Sequence, residues 1–189
     1  MERTLIKDLS TKIGETVVIK GWIDVTRAQG KMAFFDVRDR TSYVQGVVFG
    51  KPEVLEVASS LKPEYVVAIT GVVQKRQEKS INEKVENGDI ELEVTSIEVL
   101  NEAQPLPFAS DAEINLDTLL DNRPITLRRK HERAIFKVQH EILVAYRTYL
   151  VSQGFTEFQA PKLVGGDAEG GAEVFKVKYF KGVEASLAT

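Results

Sequence analysis

There is no cysteine in the 189 residues, which excludes a disulfide framework, a thiol nucleophile and a zinc site built on thiolates. Only two histidines occur, His131 and His140, too few for a histidine-rich metal cluster. No run of apolar residues approaches the about 18 that a membrane-spanning helix requires. The opening stretch MERTLIKDLS also lacks the apolar core of a secretory signal, so a cytoplasmic location with no membrane contact is expected. A basic excess is missing too. With 25 Lys and Arg against 28 Asp and Glu, the formal charge is -3, which argues against nonspecific coating of nucleic acid by counterion displacement. The glycine-rich run GDAEGGAEVF, residues 166–175, lacks the lysine and the serine or threonine of a phosphate-cradling loop and carries acids instead.

What is present is a globular composition, 43% hydrophobic and 28% charged, in a chain long enough for one large domain or two small ones. Over the first hundred residues, short runs rich in β-branched and aromatic residues alternate with turn signals. TVVIKGWIDVTR, KMAFFDVRD and SYVQGVVF read as strands. PEVLEVASSL follows with apolar residues at helical spacing after a proline suited to a first turn. EYVVAITGVVQKR and GDIELEVTSIEVL then return to strand-like alternation. Three strands, a helix and two strands are the order of the five-stranded oligonucleotide-binding (OB) barrel, whose helix lies between strands three and four. The charged stretch QKRQEKSINEKVENG reads as an exposed hairpin connection within it.

NEAQPLPFASDAEINLD breaks the periodicity with two prolines and reads as a linker. HERAIFKVQHEILVAYRTYLVSQG then places Ile135, Val138, Ile142, Ala145, Tyr146 and Tyr149 on one helical face and ends at Gly154. FTEFQAP is expected to be the strand after this helix. The division expected is an OB-fold barrel over 1–103, a hinge over 104–130, and the beginning of an α/β domain with an antiparallel sheet over 131–189. A cationic cluster, Arg123, Arg128, Arg129, Lys130, Arg133 and Lys137 against Glu132, marks the joint. It reads equally as a solvated helix start or as a surface for phosphates.

An OB barrel binds single strands by stacking bases on aromatics while cations hold the phosphates. TRAQGKMAFFDVRD supplies that combination in Arg27, Lys31, Phe34, Phe35 and Arg38. Because side chains alternate along a strand, Phe34 and Phe35 must face opposite ways, one into the core and one out as a stacking platform. Gln45, on the next strand, has an amide that both donates and accepts and so can read a base edge.

Here the residues carry a family resemblance. IKGWIDVTRAQGKMAFFDVRDRTSYVQGVVF resembles the anticodon-binding domain of class IIb aminoacyl-tRNA synthetases, which charge tRNA with aspartate, asparagine or lysine. LDTLLDNRPITLRR resembles the hinge of the archaeal and eukaryotic aspartyl type. GFTEFQAPKLV resembles the family's first motif, and AEGGAEVFKVKYF its amino-acid lid. The resemblance implies that Phe34 stacks on the central anticodon uridine, that Gln45 reads it and that Arg27 contacts it. It implies that Glu169 meets the substrate ammonium, and that Pro161 lies at a homodimer interface. At Asp24 some archaeal relatives carry a tryptophan associated with rejecting tRNA(Asn); its absence leaves tRNA(Asn) open as a substrate beside tRNA(Asp).

The implied function is a ligase that activates aspartate with ATP and Mg2+ and transfers it to tRNA. The second and third motifs of the class, with the catalytic residues, are expected beyond Thr189. The chain is accordingly expected to bind the anticodon without catalysing. An asparaginyl relative and a stand-alone OB-fold RNA-binding module are the alternatives.

Overall fold

The computed structural model describes residues 2–109, 112–165 and 174–188. The chain divides into two compact units, Met1–Glu113 and Ile114–Thr189. In the first, strands β1 (Thr16–Gln29), β2 (Met32–Arg38), β3 (Tyr43–Phe49), β4 (Val66–Lys75) and β5 (Ile90–Asn101) close into a barrel in the order β1-β2-β3-β5-β4. Helix α1 (Pro52–Ser60) connects β3 to β4, the position expected of the OB-fold helix. Strand β1 serves two neighbours. Its first half pairs with β4, its second half with β2, and the ladder slips between Ile23 and Val25. A bulge of this kind bends a strand and increases its twist, which closure of a small barrel needs. The closing pair, β3 with β5, is the parallel one.

The period-2 pattern of the sequence becomes the inside and outside of the barrel. Ala33, Phe35 and Val37 of β2 are buried, whereas Phe34 and Asp36 between them are half-buried on the outer face. Phe35 packs in a core with Ile19, Ile23, Val48, Ile69 and Leu92. Gly46 stands opposite Phe35 across the β2–β3 ladder, and a Cβ there would lie 2.6 Å from the Phe35 ring. The glycine is thus a consequence of the large side chain next door. A 3-10 helix at Ile6–Thr11 inserts Ile6 and Leu9 into the same core. It is tied down by Asp39, whose carboxylate accepts from the Ile6 N–H.

The second unit contains helices α2 (Leu116–Asp121), α3 (Arg123–Thr126) and α4 (Lys130–Ser152). Asn115 caps α2, its side chain accepting from the Thr118 N–H at 2.8 Å. Helix α4 stops where the sequence indicates. Gly154 adopts φ +85°, and the Phe155 N–H returns to the Leu150 carbonyl at 3.1 Å, a Schellman-type end that relieves unpaired carbonyls. Strands β6 (Leu163–Val164), β7 (Lys176–Lys178) and β8 (Glu184–Leu187) form an antiparallel sheet in the order β6-β8-β7.

One expectation fails here. FTEFQAP, residues 155–161, is not a strand, and pairing begins only at Leu163. Strand-like composition does not suffice without a partner for the backbone, and none of the described ladders includes these residues. The apolar stripe of α4 exists as expected but is uncovered, with Ile135, Val138, Ile142, Tyr146 and Tyr149 all exposed. Among the described residues, no helix is long and apolar enough to cross a membrane.

Candidate nucleic-acid interface

The outer face of β1, β2 and β3 gathers the residues that the sequence singles out. Arg27 pairs in register with Phe34. Val25 and Gln45 flank Asp36 from either side. Together with Arg27, Phe34 and Phe35 these residues line a recess of about 10 Å³, too small to enclose a ligand and therefore a platform. Phe34 offers its ring, while Arg27 extends a largely exposed guanidinium held 3.9 Å from the Asp36 carboxylate. The arrangement suits a flat heterocycle with an adjacent phosphate.

Two further charged residues belong to this face, and the sequence reading missed both. Arg76, just past the end of β4, donates through Nη2 to Gln45 Oε1 at 2.8 Å. Its Nε donates to the Ile90 carbonyl at 3.0 Å and lies 3.7 Å from the Glu91 carboxylate. Asp36 is the second. Burial pushes its carboxyl above the usual carboxylate range, Arg27 opposes this, Asp24 reinforces it, and Arg76 opposes it more weakly. A period-2 reading of β2 could have found Asp36, two residues from Phe34 on the same face. Nothing local could have found Arg76, which lies 31 residues from its partner.

Asp24 is the residue at which the β1–β2 register shifts, between Ile23 and Val25. It lies 3.3 Å from Arg38, which is 6% exposed, also pairs with Glu64, and places its guanidinium 5.7 Å above the Trp22 ring. Arg38 is therefore part of the barrel's fabric rather than of its outer face, a correction to its reading as a phosphate-holding cation. Pro161 is exposed in the segment before β6. Glu169 lies outside the described residues.

The cationic cluster of the second unit is partly internal structure. The Arg123 guanidinium lies 5.6 Å from the Phe136 ring. Arg129 and His131 approach Glu132, which is 7% exposed, at 3.9 and 3.8 Å. Among the described residues, no group of three or more His, Asp or Glu side chains could hold a metal ion.

A closed five-stranded barrel with an aromatic–cationic outer face, followed by helices and an antiparallel sheet, defines a nucleic-acid-binding protein of the OB class joined to a second, α/β unit. Family models place each part. Residues 17–100 match the OB-fold nucleic acid binding domain, and residues 115–186 match the class II tRNA synthetases of the D, K and N group. The chain therefore belongs to the class II tRNA synthetases of that group, with an OB-fold domain ahead of part of the synthetase domain.

Its relatives include the aspartate–tRNA ligase of Bacillus licheniformis, 41% identical over 84% of this chain and 28% of the relative. The aspartate–tRNA(Asp/Asn) ligase of Archaeoglobus fulgidus is 37% identical over 89% of this chain and 39% of the relative. Among solved structures, asparaginyl-tRNA synthetase from Pyrococcus horikoshii, complexed with asparaginyl-adenylate, superposes with a TM-score of 0.84. It is 31% identical, over 100% of this chain and 43% of that one. The chain thus spans well under half the length of the relatives it matches.

Proposed function

We propose that this chain provides the anticodon-reading part, and a portion of the synthetase domain, of an enzyme that joins aspartate to tRNA(Asp). The observation that carries the reading is the outer face of the barrel, where half-exposed Phe34, its cross-strand partner Arg27 and Gln45, which stands opposite Asp36, line one recess. The central base of the anticodon, a uridine, stacks on Phe34. Arg27 supplies the cation beside it, and the Gln45 amide meets the base edge. Their place in the family resemblance and the aspartate ligases among the relatives both support the assignment.

Other parts of the reading rest on the resemblance alone. Glu169 meets the ammonium group of aspartate, Pro161 takes part in a homodimer, and Asp24 bears on the choice between tRNA(Asp) and tRNA(Asn). Use of tRNA(Asn) as a second substrate is favoured by the Asp/Asn ligase among the relatives. The compartment that suits the reaction is the cytoplasm. The division into barrel (1–103), hinge (104–130) and synthetase portion (131–189) is kept on the same footing. ATP and Mg2+ supply activation of the carboxylate, with the metal stabilising phosphate charge. We assign that chemistry to the remaining length that the relatives possess. Joining of asparagine to tRNA instead is the second reading, favoured by the superposition on the asparaginyl enzyme.

The test is binding of the chain to an anticodon stem-loop RNA with uridine at the middle position. Phe34→Ala is expected to weaken binding by about 5- to 150-fold, the scale of one lost base stack of about 1–3 kcal/mol, and Gln45→Ala is expected to weaken it as well. Unchanged affinity in both variants refutes the assignment.

A further inference from the structure

Gln45 has an ambiguity that a base reader must resolve. Its amide sets a donor beside an acceptor, and a half-turn of the terminal torsion exchanges them. In one orientation Nε2 donates and Oε1 accepts in the order that fits uracil, which offers the O4 acceptor beside the N3–H donor. Turned over, the same amide fits cytosine, which offers the N4–H2 donor beside the N3 acceptor. An amide free to turn therefore reads either pyrimidine.

Arg76 removes that freedom. A guanidinium has five donors and no acceptor, and Arg76 Nη2 lies 2.8 Å from Gln45 Oε1. Turning the amide would set N–H against N–H and break this bond. Arg76 is itself held. Its Nε donates to the Ile90 carbonyl at 3.0 Å, the Glu91 carboxylate lies 3.7 Å away, and its side chain is 10% exposed. The carbonyl oxygen of Gln45 keeps a second lone pair for a base N–H, and its Nε2 remains a donor.

We propose that Arg76 is a positioning residue that fixes the orientation of the Gln45 amide, so that the face accepts uracil and rejects cytosine. This rests on the anticodon-face reading above. It adds that pyrimidine selectivity is set by a residue just past the end of β4, 31 positions along the chain from the reader.

The experiment compares the chain's affinity for two stem-loop RNAs that differ only in having uridine or cytidine at the middle anticodon position. Wild type is expected to prefer uridine by about 5- to 150-fold, the range of discrimination for a well-formed two-bond base contact. Arg76→Met should bring the ratio of the two affinities towards one. Arg76→Lys should keep the preference, because an ammonium also only donates. Loss of a positive charge alone would weaken both RNAs equally and leave the ratio unchanged. Should Arg76→Met unfold, as judged by Trp22 emission, Arg76→Gln serves, since a glutamine can accept as well as donate and frees the amide to turn. An unchanged preference in a folded variant overturns the role of Arg76 while leaving the anticodon face intact. If wild type shows no preference, the proposal falls; if its binding is also indifferent to Phe34→Ala and Gln45→Ala, the anticodon face falls with it.

Discussion

Asp39 follows β2 and is 3% exposed. Its Oδ1 accepts from the Thr41 N–H at 2.7 Å, the Thr41 hydroxyl at 2.5 Å and the Ser42 N–H at 3.1 Å. Its Oδ2 accepts from the Ile6 N–H at 3.0 Å, which pins the N-terminal 3-10 helix to the barrel. Asp39→Asn keeps the shape but has only one accepting atom. Placed with its oxygen towards Thr41 and Ser42, it retains three bonds and sets its NH2 against the buried Ile6 N–H. A buried donor left unpaired costs about 1–3 kcal/mol, and the Arg3 guanidinium, 3.7 Å away on a side chain 40% exposed, adds little. The expected loss of barrel stability at neutral pH is therefore about 1–3 kcal/mol. It is read by urea unfolding through Trp22, the single tryptophan, which lies beneath the neighbouring Arg38. The pH dependence follows from the carboxyl itself. Burial alone would raise its pKa, but the bonds from Thr41, Ile6 and Ser42 together hold it below the usual range. A lowered folded-state pKa contributes stability that is fully present above the unfolded value of about 3.9 and is lost as pH falls through the folded value. The gap between wild type and Asp39→Asn should accordingly be constant from pH 7 to about 5 and shrink below about 4. A midpoint equal to wild type at neutral pH, or a gap that stays constant into acid, refutes the account.

Two adjacent phenylalanines should behave oppositely. Phe35→Ala empties a core position and should cost about 3–5 kcal/mol in urea unfolding. Phe34→Ala should cost much less stability and act on RNA affinity instead; equal destabilisation by the two would contradict the inside–outside assignment. Asp36→Asn addresses the raised carboxyl. The folded state disfavours its charged form, so the neutral isostere should raise the urea midpoint at neutral pH, with the gain vanishing in acid where the wild-type side chain is also neutral. A lower midpoint at neutral pH would show that the ion pair with Arg27 outweighs desolvation.

Alternation and turn chemistry made the barrel legible in the chain. The five strands and the opposite exposure of Phe34 and Phe35 follow from period-2 burial, and the helix between β3 and β4 from helical spacing after Pro52, both local properties. The end of α4 at Gly154 was equally local, because a positive φ favours glycine. The failure at residues 155–161 shows the limit of the same logic: β-branched and aromatic composition states a preference, while a strand exists only where another backbone pairs with it. The candidate site divides along the same line. Arg27, Phe34 and Gln45 lie on strands joined by short turns, so their meeting could be anticipated from register. Arg76 meets Gln45 only because β3 closes onto β5, with β4 alongside. Arg38 finds Glu64, and Asp39 finds Ile6, by the same kind of long-range return. Sequence by itself determined the alternation of faces along the strands; barrel closure alone decided which charges stand beside them and that Arg38 is buried, because those partners are neighbours in space and not along the chain.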